Sequence, residues 1–555
     1  MTDINFTFDG NPVVASKGQS LASALTGSGI RTFRKTSGNQ PRGLFCGMGV
    51  CQDCLVTVDG VPNQRACMTK VGEGIEVATQ TPFPVLDPAA ELPESRPSRL
   101  IEPDVLVIGG GAGGLSAAIS ARQAGARVTV LDERNVGGGQ YYKQSFDDRI
   151  LDPQQEEGAR LLAKAVASGA EIIGGADLWG AFDGPVFLAD LDGTALIARP
   201  KTVIVATGAF ERPIMVPGWT LPGVMTTGAA QTLWRSYRTL PGHRVIVCGS
   251  GPLNFQVALE LAEGGADIRL VAETAPTPFL NPLTALGMAL AGPKLTWTGI
   301  SMIYRLRRRH ITVGNRLRLE QINSRDGGLE AQFTYGNGRE LTVETDVVCM
   351  NQGFEPQNEI LRLLGAKMTY DPRVGHLRCD RSSTMETSEP GVFAVGDCAG
   401  LGGAPAALIE GRIAGLNAAA AAGHGDGGDT RSAQHQLRSH RRFQRHLWAL
   451  HDIAPRELDD APPDMILCRC EGVTIGQAID GYNKNPGHLG TLKRCTRIGM
   501  GRCQGRYCGP AAARLIAEKT GKPLEDRSFF APRVPIKPIP IASILTAHEA
   551  LDDPD

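Results

Sequence analysis

The sequence predicts an α/β chain in which two dinucleotide-binding folds stand in tandem between two small cysteine-bearing domains. Three observations predict it. Two strand–glycine turn–helix–strand units occupy the middle of the chain, a four-cysteine set precedes them, and a second set with different spacing follows. At 555 residues the chain is long enough for several domains, and 42% hydrophobic residues supply several cores. Lys plus Arg number 57 and Asp plus Glu 58, so the near-zero net charge excludes a nucleic-acid binder, which needs a basic field. The first residues show neither a basic n-region nor an apolar h-region, and the Ala-rich run 413–423 has only 11 residues, too short to span a bilayer. A cytoplasmic protein is expected, with peripheral attachment at the inner membrane face as its other option. In that setting 13 cysteines read as metal ligands or spectators rather than disulfides.

The first set is Cys46-Gly-Met-Gly-Val-Cys51-Gln-Asp-Cys54, followed by Cys67, a C-x4-C-x2-C-x12-C pattern. Its first three members have the plant-type [2Fe–2S] spacing. Small residues let three thiolates wrap one side of a cluster and leave room for backbone N–H groups aimed at sulfur. Strand-like Ile4-Asn5-Phe6-Thr7-Phe8 and Leu55-Val56-Thr57-Val58 flank it, and Asp59-Gly60 signals a hairpin turn. Tetrahedral zinc is the alternative ligand for four cysteines.

From Asp104 the strand Val105-Leu-Val-Ile runs into Gly109-Gly-Gly111-Ala112-Gly113-Gly114 and then an Ala-rich helix. A second strand ends at Asp132, 18 residues beyond Gly114. This is the complete dinucleotide fingerprint: glycines for the turn and for pyrophosphate approach, a helix N-terminus for phosphate, and an acid for ribose. A second unit, Arg244-Val-Ile-Val-Cys-Gly249-Ser-Gly251-Pro-Leu-Asn254, ends at Glu273. There Asn254 replaces the third glycine, a position that sets helix–strand packing rather than phosphate contact. Glu273 suits an unphosphorylated ribose, so NAD(H) or a vestigial, structural site are both open. Thr202-Val-Ile-Val-Ala-Thr207-Gly208 and Gly391-Val-Phe-Ala-Val-Gly396-Asp397 are strands ending in small turns, which point to FAD as the first cofactor; Asp397 as a plain helix N-cap is the alternative. The basic run Arg305-Leu-Arg307-Arg308-Arg309-His310 reads as a solvated helix face, or else as a patch for an acidic partner.

The second cysteine set, Cys468-Arg469-Cys470 and Cys503-Gln-Gly-Arg-Tyr-Cys508, has the spacing C-x-C-x32-C-x4-C. Gly499, Gly501, Gly505 and Gly509 read as clearance for a cluster, [2Fe–2S] ahead of zinc. Cys495 reads as a bystander, and Cys248 and Cys349 as small core residues.

The block 104–423 resembles the two-dinucleotide-domain flavoproteins of the glutathione reductase superfamily, through Gly109-x-Gly111-x-x-Gly114, Ala206-Thr207-Gly208 and Gly396-Asp397. The redox C-x-x-C of its disulfide-reducing members is missing. The C-terminal set resembles the small helical bacterioferritin-associated-ferredoxin-like domain. The N-terminal set resembles the β-grasp ferredoxin domain that, without its cysteines, opens the large subunit of heterotetrameric sarcosine oxidase. In this order the three resemble the electron-transfer subunit of the hydrogen cyanide synthase, D-hydroxyproline dehydrogenase and opine dehydrogenase group, with the small ferredoxin-like subunit fused ahead of it. That resemblance implies an FAD held by Gly109, Gly111, Ala112, Gly113, Gly114, Asp132, Glu133, Gly139, Gln140, Thr207, Gly208, Gly396 and Asp397. It implies a second nucleotide at Gly249, Gly251 and Glu273, or an interface FMN for which no motif speaks. Two [2Fe–2S] clusters are implied on Cys46, Cys51, Cys54 and Cys67, and on Cys468, Cys470, Cys503 and Cys508. It further implies a hetero-oligomer, in which a D-amino-acid-oxidase-like flavoprotein oxidises an amine or amino acid and this chain passes the electrons to an acceptor.

The expected organisation is a ferredoxin-like domain (1–80), a Pro-rich spacer (81–103) and the first part of the FAD domain (104–214). The second nucleotide domain (215–345) and the second part of the FAD domain (346–423) follow. A linker with a helix (424–464), the second cluster domain (465–520) and a Pro-rich extended tail (521–555) complete it. A flavin lying between two clusters would convert two-electron chemistry into one-electron delivery, and the protein would supply position and potential. No side chain stands out as a general base, so the catalytic residues are expected on the partner. The competing readings are a self-sufficient NADH-dependent reductase, and a non-enzymatic iron- or zinc-binding assembly protein that would leave the FAD fingerprint idle.

Overall fold

The computed structural model describes residues 2–84, 97–147, 149–451, 458 and 460–552. Much of the predicted Pro-rich spacer, with Pro88 and Pro93, and part of the linker before Met465 lie outside the described residues.

The N-terminal unit is a five-stranded sheet in the order Asn11–Ser16, Asp3–Phe8, Glu76–Thr79, Leu55–Val58, Val61–Arg65. Asp59 and Gly60 both take positive φ, which makes the tight hairpin expected of that pair. The helix Leu21–Gly27 covers the sheet, its N-cap Ser20 accepting from the Ser23 N–H.

The first nucleotide unit is a parallel sheet ordered Glu171–Gly174, Val128–Asp132, Val105–Ile108, Thr202–Val205, Val392–Ala394. These short strands are mostly apolar because both faces are covered, one by the helices Ala112–Gln123 and Gly403–Ala421 and the other by an antiparallel meander. The helix Ala112–Gln123 lies against Gly403–Ala421 so closely that a Cβ on Gly411 or Gly415 would strike the carbonyls of Gly113 and Ala117. After Thr202–Val205 the chain leaves to build the second unit and returns at Val392. An antiparallel meander, Asp177–Phe182, Val186–Leu191 and Thr194–Ala198, is a further element that the sequence pattern does not resolve.

The second unit repeats the plan in the order Val224–Thr226, Val347–Gln352, Arg244–Ser250, Asp267–Glu273, Val313–Asn315. It carries an insertion of two helices, Pro282–Ala291 and Pro293–Arg308, with an unusually apolar exterior. Phe279, Leu283, Leu290 and Trp297 are each more than two-thirds exposed. The basic run ends the second of these helices, and Arg305 pairs with Glu263.

Helix Arg431–Leu450 leads to the C-terminal unit, where Ile475–Lys484 opens with a Thr474/Gln477 capping box and Cys508–Thr520 closes the unit. The tail lies against the meander at Ile536, whose N–H donates to the Trp179 carbonyl, and then forms the helix Ile541–Asp552. The Pro-rich stretch bends at 534–537, and the helix departs from the expected extended tail. No proline falls between Pro540 and Asp553, so the sequence there is free to form a helix.

The units share their cores. Phe6, Leu21 and Phe33 pack in one cluster with Leu233, Val257 and Val347 of the second nucleotide unit. Phe45 and Cys46 share another with Trp219, Ile246, Cys503 and Tyr507. Among the described residues no helix is long and apolar enough to cross a membrane.

Candidate functional site

Both glycine turns open into one cavity of about 1110 Å³, at the upper end of the range for cofactor sites. All the predicted cofactor residues line it except Gly114 and Gly249, which stand behind the turns. Gly109 holds φ +106° against the Ala206 carbonyl, and a Cβ at Gly114 would strike the Gly109 carbonyl. Both positions therefore require glycine. The Asp132 carboxylate accepts from the N–H groups of Gly110 (2.6 Å) and Arg134 (2.7 Å), bracing the turn from the end of its strand. Asp397 accepts from the N–H groups of Gly402 and Gly403, 2.8 Å each, at the head of helix Gly403–Ala421. It holds two N–H groups at the head of that helix, whose own N-cap residue is Gly402, while still lining the cavity; burial pushes its carboxyl pKa up.

The second turn follows the same plan. Glu273 accepts from Gly251 N–H at 3.1 Å and Ala275 N–H at 2.9 Å. Asn254 accepts from the Thr227 hydroxyl at 2.9 Å and donates to the Asn351 carbonyl at 3.1 Å, so the residue in place of glycine ties its helix to the sheet. His451 closes over this turn, its carbonyl accepting from Ser250 Oγ and its ring 3.5 Å from Glu273.

Arg65, Lys143, Asp177, Glu211 and Lys537 carried no sequence signal. Glu133 pairs with Arg65 of the N-terminal unit (2.7 Å) and Lys537 of the tail (3.2 Å). Asp177 pairs with the same two cations, at 2.6 Å from Arg65. Burial opposes ionisation of Glu133, but Lys537 and Arg65 outweigh it and bring its pKa to about 2. Buried Lys143 donates to Gln231 (2.8 Å) and the Gly228 carbonyl on the cavity wall, and burial with Arg134 nearby lowers its pKa to about 7. Glu211, also on the wall, accepts from Gly228 N–H and Asn351, and burial raises its pKa.

The eight cysteines stand as four side-chain pairs, Cys46 with Cys51, Cys54 with Cys67, Cys468 with Cys508, and Cys470 with Cys503, and among the described residues no three or more metal-ligating side chains gather to hold a single metal ion. Two pairs per set match the two irons of a [2Fe–2S] rhomb, each iron taking two thiolates. The Cys51 N–H donates to Cys46 Sγ at 3.4 Å. Burial works to raise the Cys46 thiol, but the Cys51 thiol and nearby N–H groups outweigh it and bring its pKa to about 7. Met48 and Val50 of this loop line the cavity. Two expectations change. Gly499, Gly505 and Gly509 make room for the Phe530 ring rather than for a cluster, and only Gly501 stands against Cys470. The two cysteine sets do not bracket the cavity but pack against each other on one side of it.

Residues 103–423 match the pyridine nucleotide-disulphide oxidoreductase family. The chain belongs to that family. Residues 1–82 match a 2Fe-2S iron-sulfur cluster binding domain, and 466–518 the BFD-like [2Fe-2S] binding domain. An opine oxidase subunit from Rhizobium meliloti (strain 1021) is 32% identical over 452 residues, covering 80% of this chain and 98% of its own. The HcnB subunit of hydrogen cyanide synthase from Pseudomonas aeruginosa is 28% identical, covering 79% and 97%. The alpha subunit of sarcosine oxidase from Rhizobium meliloti is 26% identical, covering 93% of this chain and 55% of its own length. L-proline dehydrogenase from P. horikoshii shares the fold, with a TM-score of 0.73, 20% identity, and coverage of 97% and 96%. The chain is thus a flavin and [2Fe–2S] oxidoreductase subunit related to opine oxidase, hydrogen cyanide synthase and sarcosine oxidase.

Proposed function

We propose that this chain is the electron-transfer subunit of an amino acid, opine or amine dehydrogenase. It takes electrons from a D-amino-acid-oxidase-like partner flavoprotein and passes them to an acceptor. The observation that carries the reading is the N-terminal cysteine loop on the wall of the cavity between the glycine turns, through Met48 and Val50. A bound flavin supplies two-electron exchange with single-electron release. We assign the FAD to Gly109, Gly111, Ala112, Gly113, Gly114, Asp132, Glu133, Gly139, Gln140, Thr207, Gly208, Gly396 and Asp397. The two cysteine sets are assigned to the two clusters. The chain's own groups orient and insulate: Asp132 and Asp397 brace the backbone turns, Arg65 and Lys537 hold Glu133 ionised, and Lys143 offers a titratable ammonium on the wall. The reach of the cavity to Gly251 and Glu273 supports a second nucleotide there, NAD(H) or another, with an interface FMN as the other candidate.

Anaerobic titration of the purified chain with NADH, then NADPH, tests the reading through flavin absorbance. The expected result is no bleaching by either nucleotide and full reduction by dithionite. Bleaching by stoichiometric NADH would replace the partner-fed reading with a self-sufficient reductase.

A further inference from the structure

The two cysteine sets, from opposite ends of the chain, meet at one buried junction. Asp53 lies between Cys51 and Cys54, and Arg469 lies between Cys468 and Cys470. Arg469 Nε donates to Asp53 at 2.6 Å, and Arg34 donates to its other carboxylate oxygen at 2.6 Å. Asp53 is 1% exposed and Arg469 5%. The Arg469 guanidinium also donates to the Trp219 carbonyl at 2.7 Å and sits 3.8 Å from the ring centroid of Phe45, the residue before Cys46. Phe45 in turn meets Tyr507, the residue before Cys508, edge-on at 5.4 Å. Each side of this junction is therefore the immediate chain neighbour of a cysteine.

The charge count is unbalanced. Arg34, Arg42 and Arg469 face the single carboxylate of Asp53, and buried Arg42 leaves Nε and Nη2 without partners. Unpaired buried cations are costly, and isolated buried ion pairs contribute little to stability. The excess positive charge is explained when anionic, thiolate-bound clusters fill both sets. The arrangement is also ordered: Met48 and Val50 reach the cavity, whereas no described residue of 465–520 lines it.

We propose that Asp53, Arg34, Arg42 and Arg469 form a counter-charged junction that holds the C-terminal set against the N-terminal set, making the N-terminal set the intermediate between the nucleotide cavity and the C-terminal domain. With flavin and both clusters bound, Asp53, Arg34, Arg42 and Arg469 would hold the sets in that order, so that an electron given up by reduced flavin would reduce one ferric iron of the N-terminal set and then one of the C-terminal set. The flavin proton goes to solvent, and the second electron follows the same route. The inference rests on the reading of both sets as [2Fe–2S] sites.

Iron and sulfide analysis of the full-length holoprotein examines that reading first; absence of either cluster defeats the reading itself. With both present, electron paramagnetic resonance of the dithionite-reduced protein should show splitting or broadening from interaction between the clusters. Arg469→Gln should keep its iron, weaken that interaction and lower a cluster midpoint potential through loss of positive charge, while Arg469→Lys keeps the potential. Phe45→Leu serves as the second variant should Arg469→Gln fail to fold, and it too should weaken the interaction. In Cys67→Ser, photoreduction of the bound flavin with EDTA as donor should reduce the C-terminal cluster at least about tenfold more slowly. Cys508→Ser should leave reduction of the N-terminal cluster at its normal rate. A wild-type spectrum equal to the sum of two isolated clusters would overturn the proposal, as would unslowed reduction in Cys67→Ser.

Discussion

At the scale of single residues, what a side chain must avoid is easier to read than what it must meet. Gly109 and Gly114 are fixed by backbone they would strike, and a glycine turn between strand and helix announces both. Gly114→Ala should therefore cost flavin retention, read as the ratio of flavin to protein absorbance after gel filtration. Arg65, Lys143, Glu211 and Lys537 were invisible because their partners come from distant segments: Lys537 and Glu133 are 404 positions apart. Lys143 gives a pH test. Its pKa falls from an ordinary 10.5 to about 7 in the folded chain, so the folded state binds fewer protons than the unfolded state between those values. Stability should rise with pH across that window. Melting temperatures followed from pH 7 upward should climb more in the wild-type chain than in Lys143→Met.

Among elements, the tail does more than the prolines suggested. Ile536 and Lys537 line the cavity, and the helix behind them packs Ala547 with Trp179, Leu188 and Ile197, while Thr546 accepts from the Ala195 N–H. Prolines argued against a central strand, but they say nothing of the helix Ile541–Asp552 that starts just after Pro540. Lys537→Met removes one of two cations from Glu133 and Asp177. It should lower stability by about 2 kcal/mol, measured by urea unfolding, and loosen flavin binding. Glu133 is held at about 2 rather than 4.5, so its contribution is complete above pH 4.5 and is lost as pH falls toward 2. The difference between wild type and Lys537→Met should shrink over that range. The succession of strand, glycine turn, helix and strand in each unit was legible because apolar runs and turns repeat. The meander that runs from Asp177–Phe182 to Thr194–Ala198 was not, since it packs against the tail and the first sheet, which come from distant segments.

For the molecule as a whole, shared cores mean that the cysteine units are built into the flavoprotein rather than tethered to it. A protease site engineered between residues 85 and 96 should, once cut, leave the two fragments co-eluting, because Phe6, Leu21 and Phe33 pack with Leu233 and Val257. Fragments that separate on gel filtration would contradict this shared core. The exposed exterior of the helices Pro282–Ala291 and Pro293–Arg308 has a practical corollary. Apolar patches of this kind are uncommon on a solitary soluble chain, and between Glu273 and Glu320 the charges are cationic only, so the repulsion that keeps copies apart is screened by salt. Produced by itself and concentrated, the chain should scatter light as a growing, salt-promoted aggregate. A mild detergent, or aspartates at Leu283 and Trp297, should return it to the size of one chain.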